Sequence, residues 1–204
     1  MDYPVSLAVE DFVPVVFTTC GVLLLRRVTG TPGTIAAAAL IGAGGFAKAT
    51  AKLVVALDGP DLVWLRSALF PLLTLGFALL YLELTRNPGI SRTRAAIAAA
   101  VTGVCAVAAL LVADALPMLV STTVFATLTA VRLIGLARSR GDTLAAVLFG
   151  AQIAVFFVLG PLGARADQTV ALQWIEQLTN TAGQAAFLLG AVRLARTNQG
   201  ERMP

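Results

Sequence analysis

Apolar runs of about 20 residues recur along the whole chain, separated by short polar turns, and each run is long enough to cross a bilayer core of about 30 Å as a helix. The pattern predicts helices over residues 5–25, 34–57, 62–84, 95–113, 116–136, 143–162 and 168–194. The breaks between them carry helix-stopping chemistry. Thr29–Gly33 reads TGTPG, Asp58–Asp61 reads DGPD, and Asp114 with Pro117, Gly141 with Asp142, and Pro161 with Gly163 mark later turns. Pro71 lies inside the third run, where it removes a backbone donor and predicts a kink. The expected fold is therefore an all-α integral membrane protein, a seven-transmembrane-helix bundle forming a single transmembrane domain over residues 1–204.

Composition agrees with this picture. The chain is 58% hydrophobic and 13% charged, against about 25% charged residues in soluble domains, and its mean hydropathy is +0.86. The net charge of +4 changes the picture only through its distribution. Arg26, Arg27, Arg86, Arg92, Arg94, Arg132, Arg138, Arg140 and Arg196 fall at alternate turns, whereas Glu10, Asp11, Asp58, Asp61 and Asp114 fall at the others. By the positive-inside rule this places the N-terminus outside, the C-terminus in the cytoplasm and the protein in the cytoplasmic (inner) membrane. Acids precede the first run and arginines follow it, the reverse of a secretory signal, so an uncleaved first helix is expected. No basic face or nucleic-acid-binding fold is present, which excludes nucleic acid as a partner. Cys20 and Cys105 lie in apolar runs as small hydrophobes. Histidine is absent.

Against this background the segment GGFAKATAKLVVAL, residues 44–57, stands out, because it puts Lys48 and Lys52 inside the second span, four apart and on one helical face. A charge near the bilayer centre costs about 2.5–3.5 kcal/mol on insertion scales. At 1.5 Å per residue Lys52 lies roughly 7–8 Å and Lys48 roughly 13 Å from the outer end of that helix. Arg66 enters the third helix from the same side. Thr169, Gln173, Glu176, Gln177, Asn180 and Gln184 recur at three- and four-residue intervals on the last helix, forming a polar stripe unsuited to lipid. Equal depth suggests one cluster of Lys48, Lys52, Arg66 and Glu176, with Glu10 and Asp11 at its rim, provided that the first and last helices close a ring. In that count the cations exceed the deep acids, which favours an anion.

Two roles fit these residues. In the first, Lys48, Lys52, Arg66, Gln173, Glu176, Gln177 and Asn180 line an outward-facing polar pocket of a transporter or ligand-binding protein. Its ligand would be a small anion, an acidic metabolite or a lipid head group. In the second, the charges only fix helix packing in a non-catalytic subunit or assembly factor. Homo-oligomer or membrane-partner contacts would then use Ala/Gly-rich faces, above all the alanine-rich fourth helix with Gly103. Lys52 and Arg66 are close enough to the interface to snorkel, and Trp174 fits an aromatic belt.

The outline of seven helices with an outside N-terminus resembles the microbial rhodopsins. That resemblance implies a retinal carried by a lysine in the middle of the last helix, and the last span here has no lysine. No cofactor is expected. With the first apolar run counted from Phe12, after Glu10 and Asp11, no span pairs two acids, and without histidine a metal site or a conventional general base has no obvious residue, which argues against an enzyme.

Overall fold

The computed structural model describes residues 4–86, 91–163 and 169–200, and among them it is entirely helical. Helix α1 spans Val5–Thr29, α2 Gly33–Ala56, α3 Val63–Leu84, α4 Ser91–Val112, α5 Leu116–Ser139, α6 Thr143–Gly163 and α7 Val170–Gly200. Five of them, α1 to α5, are long and apolar enough to cross a membrane. The apolar stretch of α6 from Thr143 to Leu159 is shorter. Helix α7 is long but lowered in hydropathy by its polar stripe, and the sequence-predicted turn over residues 164–168 lies outside the described residues.

Two helices are broken, and proline accounts for both breaks. In α1 the first segment ends at Glu10, four residues before Pro14, and in α3 it ends at Ser67, four residues before Pro71. A proline cannot donate to the carbonyl four residues back, so the ladder fails there. The kink expected from Pro71 is thus present, displaced toward the N-terminal side of the proline. The break from Pro14 sits beside Asp11.

Helices α1, α2, α3, α5, α6 and α7 pack in that order as a closed ring, with α7 returning against α1. Helix α4 stands outside the ring, mainly against α5. Leu110 and Leu111 of α4 are 83% and 82% exposed, and a Cβ on Gly103 would meet nothing within 4 Å. Of the two settings that its small residues suggest for α4, the interior and a subunit interface, the interior is not found.

The two ends of the ring differ chemically. Every described arginine except Arg66 lies toward one end, with Glu83 and Asp142 as the acids there; Glu10, Asp11, Asp58, Asp61, Asp114 and Glu176 lie toward the other. The arginine-rich half is filled by an apolar core that includes Val22, Leu25, Ile41, Phe77, Leu80, Leu133, Phe149, Phe187 and Leu194. Phe149 and Phe187 meet edge to face at 5.9 Å between centroids. Backbone carbonyls at helix ends are tied across that half: Arg132 Nε donates to Leu84 O (3.3 Å) and Arg140 Nη1 to Leu194 O (3.3 Å). Asp142 caps α6 by accepting from Ala145 N–H (3.0 Å) and is held by two nitrogens of Arg193, Nε at 3.1 and 3.2 Å from its two oxygens and Nη2 at 3.1 Å from Oδ1. Such bidentate pairing is among the strongest ionic contacts available.

Candidate functional site

The acidic half is organised around Asp11. Lys52 of α2 forms an ion pair with it at 2.6 Å, with the lysine side chain 20% and the aspartate 8% exposed. The Gln177 amide of α7 donates to Asp11 Oδ1, and Thr181 one turn further donates to Glu10 Oε1. Deeper along the same seam, Thr18 donates to Gln184 Oε1 (2.9 Å), and Gln184 Nε2 donates to Asn180 Oδ1 (3.3 Å). The polar stripe of α7 is thus stitched to α1, and the ring closure that its sequence periodicity required is present.

Lys48 behaves differently from Lys52. Residues 34, 37, 41, 45, 48 and 52 follow one another at three- and four-residue steps and so share one face of α2. Thr34, Ala37 and Ile41 on that face are 0%, 0% and 2% exposed. Its two flanks touch different neighbours. A Cβ on Gly44 would lie 3.0 Å from Leu69 O of α3, and one on Gly45 would lie 2.7 Å from Val15 Cγ2 of α1. Lys48 projects between those two directions, toward the ring axis. It is exposed, unlike the buried residues that precede it on that face.

Helix α7 gives the same result. Gln173, Gln177, Asn180, Gln184, Phe187, Ala191 and Leu194 alternate in steps of four and three, forming one face. The last four are buried and the first three only half-buried. On α6, Gln152 is buried whereas Phe156, one turn nearer the acidic end, is 36% exposed. Three inward faces therefore lose their cover at the same end. The inward faces of α2, α6 and α7 are thus less covered toward the acidic end than over Ile41, Phe149 and Phe187, although Leu7, Ala8, Ala49, Met118 and Ser121 remain buried in that half.

The charges acting on Lys48 are Asp11, Lys52 and Glu176. Among the described residues Lys48 makes no hydrogen bond or ion pair within 4 Å, whereas Lys52 is committed to Asp11. Glu10 Oε2 and Gln152 Oε1 are buried without a hydrogen-bond partner. The hydroxyls of α5 largely do what helical hydroxyls do: Thr122 donates to Met118 O (2.9 Å) and shares a 2.7 Å bond with Thr74 of α3, and Thr123 donates to Leu119 O (2.9 Å).

Of the residues predicted from sequence, the structure brings together Lys48, Lys52, Glu176, Gln177 and Asn180, with Gln173 on the same face. It leaves Arg66 aside. That guanidinium pairs with Asp61 at 3.5 Å, and both side chains are at least half exposed. Depth alone put Arg66 in the cluster, but helical phase turns it to the outside. In exchange Glu10 and Asp11, expected only at the rim, belong to the cluster. Among the described residues the cluster therefore holds three carboxylates (Glu10, Asp11, Glu176) and two ammonium groups (Lys48, Lys52), without the cation excess that the sequence suggests. The signal for Asp11 was present in Pro14, whose missing donor frees the backbone beside it. No known protein family, curated protein or solved structure matches the chain.

Proposed function

We propose that the protein is a transporter or ligand-binding protein of the cytoplasmic membrane, with its N-terminus outside, its C-terminus in the cytoplasm, and the less covered acidic half of the ring serving as a vestibule that opens outward. The positive-inside distribution of arginines supports that orientation. The observation that carries the proposal is Lys48: a cation on the inward face of α2, open to the vestibule and without an ion pair of its own among the described residues. A small acidic molecule or an acidic head group seats its anionic group at Lys48. Gln173 and the amide nitrogen of Asn180 supply orienting hydrogen bonds. Lys52, Asp11 and Gln177 act as the fixed wall. Because carboxylates already exceed ammonium groups in the cluster, an acidic ligand adds a further negative charge unless a proton enters with it. Glu176, within electrostatic reach of Lys48, is placed to carry that proton, which gives the site a route to proton-coupled uptake.

A packing role in a larger membrane complex draws its support from the satisfied Lys52–Asp11 pair and from the uncovered face of α4. The two roles separate on water access to Lys48. In a background with Cys20→Ala and Cys105→Ala, the variant Lys48→Cys is expected to react with a membrane-impermeant cationic thiosulfonate added from outside, and not from the cytoplasmic side. Absence of labelling from either side in folded protein sinks the ligand-binding proposal; labelling from the cytoplasmic side alone sinks the orientation.

A further inference from the structure

Because α4 leaves the ring, a wedge opens between it and the arginine-rich end of α3. The wedge holds a cavity of ≈ 250 Å³ whose inner wall is apolar, formed by Leu79 and Leu82 of α3 and Ala95 of α4. Its rim is basic, formed by Arg86, Arg92 and Arg94. Arg94 is held in place by donating from Nη1 to Thr85 O at 2.8 Å, a contact that uses one of the five donors of a guanidinium. Glu83 also borders the cavity and takes up part of the positive charge, at 3.7 Å from Arg86 Nη1. Three guanidinium groups against one carboxylate leave the rim cationic.

We propose that this wedge binds an acidic phospholipid, with its phosphate on Arg92 and Arg86, steadied by Arg94, and one acyl chain against Leu79, Leu82 and Ala95. The division of the cavity into an apolar wall and a basic rim selects a lipid over free phosphate, since a soluble anion gains nothing from the wall. The location selects it too. Basic pockets between transmembrane helices at head-group depth recognise acidic head groups, and guanidinium groups match phosphate oxygens in bidentate fashion. Helix α4 then touches the ring partly through lipid, which accounts for its sparse packing against α3. This site is independent of the vestibule and of the direction in which the protein is inserted.

The test is lipid retention. The full chain is reconstituted in vesicles of equal phosphatidylglycerol and phosphatidylcholine, re-extracted in mild detergent, and its bound lipid quantified by mass spectrometry. The parent is expected to retain phosphatidylglycerol about tenfold over phosphatidylcholine, the scale of two arginines acting near a membrane surface. Arg86→Gln with Arg92→Gln is expected to bring the ratio to about one, with helix content by circular dichroism unchanged. Arg92→Glu, a change at an exposed position, provides a second arm if the double variant fails to fold. Equal retention of both lipids by the parent overturns the proposal, as does undiminished enrichment in a folded variant. Displacement of phosphatidylglycerol by inorganic phosphate at physiological ionic strength also overturns it, since it makes the wedge a site for a soluble anion.

Discussion

Replacing Asp11 by Asn removes the charge that holds Lys52 while leaving an oxygen for the Gln177 amide, so the perturbation isolates the ion pair. Breaking a buried pair by deleting one partner costs about 3–5 kcal/mol. The Lys52 side chain retains 20% exposure, and its four-carbon stem lets the ammonium move toward the interface, so the cost falls to about 2 kcal/mol. For a chain of this size roughly 2–4 °C of melting temperature accompany each kcal/mol, which gives a decrease of about 4–8 °C in a detergent thermal-unfolding assay. The double variant Asp11→Asn/Lys52→Gln removes the stranded cation as well and is expected to recover at least half of that loss. Such non-additivity is the mark of residues in direct contact. A single-variant shift within about 1 °C of the parent, or a double variant whose loss equals the sum of the two singles, refutes the assignment of Asp11 as the partner that keeps Lys52 in the bundle.

Three further outcomes follow from the packing. Lys48→Met is expected to leave the melting temperature unchanged or to raise it by the equivalent of up to about 2 kcal/mol, because a cation held in the bundle without an ion pair is itself a cost; a loss as large as that of Asp11→Asn, in the same assay, would instead make Lys48 a packing residue. Gly76→Ala is expected to destabilise by about 1–3 kcal/mol, since the new Cβ would lie 2.5 Å from Ile41 Cγ1 and 3.1 Å from both Ala37 O and Ile41 N. Gly103→Ala, with nothing within 4 Å, is expected to be neutral or to stabilise by up to about 1 kcal/mol through helix propensity; thermal unfolding of the pair in parallel checks both.

The helices were legible because lipid and core impose the same demand, long apolar stretches with breaks where Gly, Pro and Asp cluster. The stripe on α7 was legible because its three- and four-residue spacing fixes a face whatever the neighbours are. What could not be read was partnership. Lys52 finds Asp11 only because Pro14 breaks α1 beside it, and a proline so near the start of a span reads equally well as an ordinary first-turn residue. Arg66 shares a depth with Lys48, but depth along a helix says nothing of phase around it, and its phase leads to Asp61 at the exterior. For α4 the alanine content was ambiguous, since small side chains permit close packing without driving it.

The uneven covering of the inward faces of α2, α6 and α7 bears on how such a protein could work. Beneath the vestibule, Phe149, Phe187 and Ile41 close the axis, and below them Arg193 with Asp142 and Arg140 with the Leu194 carbonyl hold α5, α6 and α7 together. A protein that only binds needs none of these contacts to yield. A transporter must separate them, because the apolar floor lies between the vestibule and the other end of the ring. The seam between α6 and α7 is closely packed toward the arginine-rich end, by Phe149 on Phe187 and by Arg193 on Asp142. Both helices already lose their cover at the acidic end, and Gln152 on α6 keeps a buried carbonyl oxygen without a partner. An unsatisfied buried group costs about 1–3 kcal/mol, and any rearrangement that wets the seam relieves it. The Arg193–Asp142 clamp opposes that relief from the far end of the same two helices, so the α6–α7 pair is held under opposing demands along its length.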